Sequence, residues 1–168
     1  MRTDKFTFFW NGPFSNWYPS EFSLEGIRFT HMEQYMMWKK AMLFNDGETA
    51  MMILSAKHPK EQKGLGRQVR NFDRDKWNAE CKKIVYDGCM AKFTQNKTLK
   101  QELLETGNTE LVEASHTDKI WGIGLLQTDP LALDKTNWKG TNWLGEILTQ
   151  VRDDIKKNNE KNHGDSKP

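Results

Sequence analysis

The sequence predicts an α+β fold: a mainly helical single domain with a small β-sheet. Three observations lead to it. The first thirty residues are aromatic, β-prone segments broken by turn formers. From about residue 31, stretches with helical caps and periodicity dominate. Two short apolar segments, 111–114 and 119–121, read as strands. The length of 168 residues suits one core, since a chain of about this size buries roughly 70% of the surface its unfolded form exposes.

Phe6-Thr7-Phe8-Phe9-Trp10, the first element, is aromatic and β-prone. Asn11-Gly12-Pro13 and Tyr18-Pro19-Ser20 punctuate the next ten residues. Phe22-Ser23-Leu24 and Ile27-Arg28-Phe29 flank Glu25-Gly26, the pattern of a hairpin. A helix is expected from about His31 to Phe44, with Thr30 as N-cap and Glu33 placed as in a capping box. Asp46-Gly47 interrupts, and a short helix covers 48–55. Pro59 suits the first turn of another, ending near Gly64-Leu65-Gly66. Asp73 can cap a long helix over 74–93, and 99–105 forms one more, stopped by Gly107. Residues 138–142 are a loop, from which Thr141 or Asn142 caps a last helix to about Ile155. The domain is therefore placed at 1–155. Residues 156–168 hold no apolar side chain and are expected to form a disordered polar tail.

Composition narrows the class. Seven Trp and nine Phe are too much aromatic surface for an unfolded chain. No apolar run approaches the roughly 20 residues of a spanning helix, so no membrane role is expected. A net charge of +2 does not by itself announce a nucleic-acid binder. Cys81 and Cys89 are eight residues apart in one expected helix, a rise of about 12 Å, beyond the roughly 7 Å reach of a disulfide. They read as small core residues of a reduced protein. No apolar h-region follows Met1-Arg2-Thr3-Asp4-Lys5, so no secretory signal is expected. The expected location is the cytoplasm, or the nucleus in a eukaryote. His31, His58, His116 and His163 match no metal-ligand spacing, and no G-x-G-x-x-G follows a strand. Neither metal nor cofactor is expected.

The helix from His31 carries the chemistry. At about 100° per residue, Glu33, Lys40, Met36, Met37, Phe44 and Ala41 share one side, while Tyr35, Trp38 and Met42 lie opposite. A helix apolar nearly all round is a buried helix. Glu33 and Lys40 are separated by about 10.5 Å of rise, too far for a direct pair. Their long side chains can still converge on something between them. Desolvation raises a carboxyl and lowers an amine. A lowered lysine is a nucleophile able to form a Schiff base with a carbonyl, and a raised glutamate serves as acid and base. A plainer reading stays open, in which Glu33 caps the helix and Lys40 extends to solvent.

Glu33-Gln34-Tyr35 followed by Lys40-Ala41 resembles the E-H-Y-x-x-x-x-K-A helix of the NADAR superfamily, the YbiA-like N-glycosidases. Phe14-Ser15-Asn16-Trp17 looks like the family's F-S-N-aromatic loop, and Gly64-Leu65-Gly66-Arg67 like its small-x-G-R segment. Lys92-Phe93 and Leu103-Leu104-Glu105-Thr106-Gly107 resemble its K-F and L-x-x-T-G stretches. Val112-Glu113, Asp118 and Trp121-Gly122-Ile123-Gly124 resemble its V-E…D-x-x-W-G-x-G strand. Gly140 to Arg152 resembles its G-x-N-x-L-G-x-x-L-x-x-x-R terminus. The resemblance spans about residues 6–155. Two departures stand out: Gln34 replaces the usual His, and Ile123 replaces the Asp of many bacterial W-G-D-G members.

The resemblance implies hydrolysis of an N-glycosidic bond at ribose C1, with Lys40 as a Schiff-base lysine and Glu33 as acid and base. It offers two substrate classes. One is ADP-ribosylated guanine, in nucleic acid or as a nucleoside, which the W-G-I-G pattern favours. The other is a phosphoribosylamino-pyrimidine intermediate of riboflavin synthesis, a small phosphoribosyl substrate. A third alternative is a non-catalytic ADP-ribose-binding module, against which retention of both Glu33 and Lys40 argues. No stable protein partner is expected.

Further candidates line the expected substrate site. Arg67 can grip a phosphate bidentately or be a surface arginine after a turn. Asn142 lies where a helix opens, a place that attracts anions, and is equally a plain N-cap. Ser15 and Asn16 can hydrogen-bond ribose or base, or fold a turn. The tryptophans read as mostly core, with Trp77 chosen as the one to stack on a base. Asp118, Trp121 and Gly122 are candidates for the pocket lining, with strand packing as the alternative.

Overall fold

The computed structural model describes residues 1–165, with side chains through residue 162. The α+β expectation holds: helices predominate, with two two-stranded sheets. The chain forms two compact units, Asn16–Asn96 and Met1–Ser15 with Lys97–Pro168.

In the contiguous unit, β2 (Phe22–Leu24) and β3 (Ile27–Phe29) pair antiparallel, with Phe22 opposite Phe29. Glu25 and Gly26 make the turn at φ 53° and 75°, the left-handed pair that matches the twist of a two-residue hairpin. The hairpin's buried Phe22 and Phe29 meet Tyr35 edge-on, at ring distances of 5.9 and 5.1 Å. Tyr35 belongs to α1 (Met32–Leu43), which packs against α2 (Gly47–Ser55), α3 (Pro59–Gly66) and α4 (Arg74–Gln95). Burial on several sides is what its all-round apolar pattern requires. Glycine admits the close crossing with α4. A Cβ on Gly88 would lie 2.4 Å from the Met32 side chain and 2.6 Å from the Tyr35 ring.

The N-terminus of α1 departs from the expected cap. His31 is the N-cap and makes no side-chain cap bond. The reciprocal bond comes one residue later than expected: Gln34 Oε1 accepts from the Thr30 N–H at 2.9 Å. Gln34 Nε2 reaches the carbonyls of Ile53, Leu54 and Ala56 at the end of α2. Three carbonyl acceptors and an N–H to accept from suit an amide, which is a physical reason for Gln at this position. The capping task expected of Glu33 thus falls to Gln34.

In the other unit, β1 (Phe6–Phe9) runs parallel to β4 (Glu110–Glu113). Phe6, Phe8, Val112, Ala114, Ile123 and Leu125 form its core, with Trp138 packed against Phe6. α5 (Lys97–Glu105) and α6 (Trp143–Asp165) complete it, α6 lying against β4. Buried Arg152 of α6 donates to Thr106 Oγ1 at 3.0 Å and to the Thr109 carbonyl.

Three expectations need correction. Residues 119–121 are not a strand. Their carbonyls, with that of Gly122, accept from the N–H groups of Thr141, Asn142, Trp143 and Leu144. They satisfy donors that a helix start leaves open. The last helix continues past Ile155 to Asp165, so residues 156–165 of the expected disordered tail are helical. Lys and Glu are good helix formers, and Lys156 Nζ ties this turn to the Gly107 carbonyl. Residues 166–168 of that tail lie outside the described residues. The tryptophans, finally, are not mostly core: Trp38 is buried, Trp10 and Trp17 are exposed, and Trp77, Trp121, Trp138 and Trp143 are half-buried. No helix among the described residues is long and apolar enough to cross a membrane.

Candidate active site

Glu33 and Lys40 lie on one strip of α1, Glu33 buried and Lys40 half-buried. Burial holds the Lys40 amine below its ordinary pKa; the Glu33 carboxylate pulls it back up and the Arg67 guanidinium pushes it further down. The two groups therefore act on each other electrostatically across a spacing longer than that of an ordinary helical ion pair. The Lys40 nitrogen sits over two rings, 4.6 Å from the centre of Phe72 and 5.8 Å from that of Trp77.

The start of α4 explains why these rings meet there. Asp73 is the N-cap, its carboxylate accepting from the N–H groups of Asp75 and Lys76. Phe72 then stands at N′ and Trp77 at N4, the two positions of a hydrophobic staple. Phe72 is held from behind by Phe44, edge-on at 5.4 Å. The preceding residues are pinned as well. Asp46 Oδ2 accepts from the Arg70 N–H at 3.0 Å, and Asp46 Oδ1 from the Arg70 guanidinium at 2.9 Å. Sequence reasoning missed Phe72. An aromatic residue immediately before an N-cap, five residues ahead of Trp77, was the signal that could have found it.

Asn16 enters through its backbone, whose carbonyl accepts from the Glu33 N–H at 3.0 Å. Its side chain is buried, and Oδ1 has no hydrogen-bond partner among the described residues. Leaving a buried acceptor unpaired costs about 1–3 kcal/mol, so this oxygen, on a residue whose backbone carbonyl holds the Glu33 N–H, is suited to a donor from a ligand. Arg67, the C-cap of α3, is exposed and reaches the site through its charge on Lys40. A groove of about 450 Å³ lined by Tyr35, Lys39 and Asp87 is set on the other side of α1 and contains neither Glu33 nor Lys40.

Asn16, Glu33, Lys40, Arg67 and Trp77 thus belong to one unit. The other predicted residues belong to the second, together with Ser15. Asn142 is buried, and both ends of its amide are used on β4: Oδ1 accepts from the Glu113 N–H and Nδ2 donates to the Leu111 carbonyl, each at 3.0 Å. The N–H groups of Asn142, Trp143 and Leu144 are likewise engaged, so the start of α6 is not the open anion site that its sequence suggests. Asp118 Oδ1 accepts from the N–H groups of Ile120 and Trp121 and shapes that turn. At Gly122 a Cβ would come within 2.9 Å of the Asp118 and Glu113 carbonyls. Trp121 packs edge-on against Trp143 at 5.7 Å. Ser15 is buried, its N–H donating to the Gly12 carbonyl.

Residues 8–156 match the NADAR domain. The chain is 40% identical to N-glycosidase R617 of Acanthamoeba polyphaga mimivirus, over 92% of this chain and 98% of that protein. It is 39% identical to Protein irg-1 of Caenorhabditis elegans, over 92% and 81% of the two chains. The solution structure of the E. coli protein YbiA has the same fold, with a TM-score of 0.77 and 24% identity over 95% of this chain and 89% of that one.

Proposed function

The chain belongs to the NADAR domain family, and from that premise we propose that it is an N-glycosidase that hydrolyses the bond between ribose C1 and a base nitrogen. The observation that carries this reading is the Lys40 amine, held below its ordinary pKa by burial and set on one strip with buried Glu33. A module that only binds a sugar has no need of a desolvated amine beside a carboxyl group. The name of the mimiviral relative supports the same reaction class.

The chemistry divides between the two residues. The base nitrogen's lone pair expels the ring oxygen, which takes a proton from Glu33, and C1 becomes an iminium carbon joined to the base. Neutral Lys40 adds its lone pair to C1, giving a carbon that bears both nitrogens. Glu33 moves a proton from the lysine nitrogen to the base nitrogen. The bond from C1 to the base then breaks and its electron pair leaves with the base, while Lys40 closes a C1=N iminium. Water adds to C1 and gives a proton to Glu33. The C1 hydroxyl oxygen closes a carbonyl and gives its proton to Glu33 as the bond from C1 to Nζ breaks; the pair of that bond and the proton from water return to Lys40, and the sugar recloses.

ADP-ribosylated guanine, free or in nucleic acid, is the substrate we favour, from the W-G-I-G pattern around Ile123. With Cys81 and Cys89 both free, the cytoplasm is the compartment in which we place the reaction. The test is product analysis. ADP-ribosyl-guanosine should yield intact ADP-ribose and guanosine, and Lys40→Arg should abolish the reaction, because a guanidinium keeps the charge but cannot act as the amine. Turnover confined to a phosphoribosylamino-pyrimidine would replace the substrate. Release of AMP, or full activity in Lys40→Arg, would overturn the mechanism.

A further inference from the structure

A nucleophilic lysine has two conflicting requirements. It must lose its proton easily, and it must then carry a positive charge as an iminium in the same desolvated place. Burial serves the first and opposes the second. What offsets the second here is aromatic. The Lys40 nitrogen lies 4.6 Å from the Phe72 ring centre and 5.8 Å from that of Trp77, both within the roughly 6 Å range over which a ring face attracts a cation.

The two rings are not incidental neighbours. They occupy the N′ and N4 positions of α4, fixed by the Asp73 cap. Phe72 rests on Phe44, one turn beyond Lys40 on α1. The Arg70–Asp46 bonds hold the chain two residues before it. Phe72 is 46% exposed, so its ring is open to solvent as well as lying near the Lys40 nitrogen.

We propose that Phe72 and Trp77 form an aromatic cage of two rings that positions the Lys40 nitrogen and stabilises the positive charge it bears as ammonium and as sugar iminium. The inference rests on the Schiff-base reading of Lys40. No bond is made or broken by the rings; the cage acts on the charge left at nitrogen when C1=N forms. The charges that bear on that nitrogen are Glu33, which favours the cation, and Arg67, which opposes it.

The test uses the whole protein, D-ribose 5-phosphate as the aldehyde probe, and cyanoborohydride, which reduces the protonated imine. The trapping rate at Lys40 is read by peptide mass against pH. Its acid limb reports the amine and its alkaline limb the iminium. Phe72→Leu keeps an apolar cover and removes the ring face. It should move both limbs to lower pH, by about 0.4 to 1.5, while Phe72→Trp keeps them in place. Trp77→Leu should move them in the same direction by less, its ring being farther away, and it serves if Phe72→Leu does not fold. A lower rate with unmoved limbs in both leucine variants would mean a packing role and overturn the cage. Moved limbs would support it even if no glycosidic substrate were turned over, and unmoved limbs would sink it even if the wild type were an active glycosidase. Absence of any adduct on Lys40 would overturn the cage and the Schiff-base mechanism together.

Discussion

A carboxyl group can serve a helix or serve a substrate, and the surroundings of Glu33 separate the two tasks. The capping bond at this helix start is made by Gln34 with Thr30, and Glu33 contributes its own N–H to the Asn16 carbonyl. Glu33→Gln should therefore fold with a melting temperature close to the wild type and lose at least about 10²-fold in turnover, the usual contribution of general acid–base catalysis. Normal hydrolysis by Glu33→Gln would return Glu33 to a structural role. The placement of Glu33 and Lys40 on one strip of α1 was legible in the helical spacing, while the roles proposed for them come from the family resemblance. Phe72 was not picked out, because its place before the Asp73 cap does not by itself show that the fold sets its ring 4.6 Å from the Lys40 nitrogen. Asn142 was misread for a related reason: an asparagine before a helix looks the same whether its amide caps that helix or, as here, spans back to β4.

Among the elements, the hairpin and the long helix were readable because their signals are local: Glu25-Gly26 for the turn and Asp73 for the cap. Residues 119–121 were misread because Ile120-Trp121 is β-prone whether its carbonyls face a strand or the start of α6. The loop that presents Phe72 depends on a contact distant in sequence, between Asp46 and Arg70. Hydrogen bonds from the Arg70 side chain, the Arg70 backbone and Thr49 hold the Asp46 carboxyl well below its usual 3.8. A depressed folded-state pKa stabilises the protein above the unfolded value and loses that effect as pH falls through the folded value. Asp46→Asn should therefore melt lower than the wild type at neutral pH. The gap should narrow as pH drops below about 4, as seen in melting temperatures measured from pH 6 to pH 2. A gap constant across that range would mean that the carboxylate's charge is not what pins the loop.

For the whole molecule, a buried amine contributes to the alkaline side of the stability curve. Lys92 lies on the buried face of α4 with Gly88 and Cys89, and is 1% exposed. Desolvation lowers its pKa from 10.5 to about 8, with the nearby Cys89 acting against the shift. Between these values the unfolded chain binds the proton more fully than the folded one, so stability rises with pH. The cost of burying the charge is present in full below pH 8 and is relieved by about pH 10.5. A shift of this size corresponds to about 3 kcal/mol. Lys92→Met keeps an unbranched chain of similar length and removes the titration. Relative to the variant, the wild type should gain up to about 3 kcal/mol between pH 8 and pH 10.5. Denaturant unfolding at intervals across that range measures the difference. Groups remote from Lys92 cancel because both proteins share them, and Cys89, whose thiol the Lys92 charge pulls down, is removed from the comparison by making it in a Cys89→Ala background. Parallel stability curves would mean that the Lys92 amine keeps its proton in the folded protein, held by neighbours strongly enough to offset its burial.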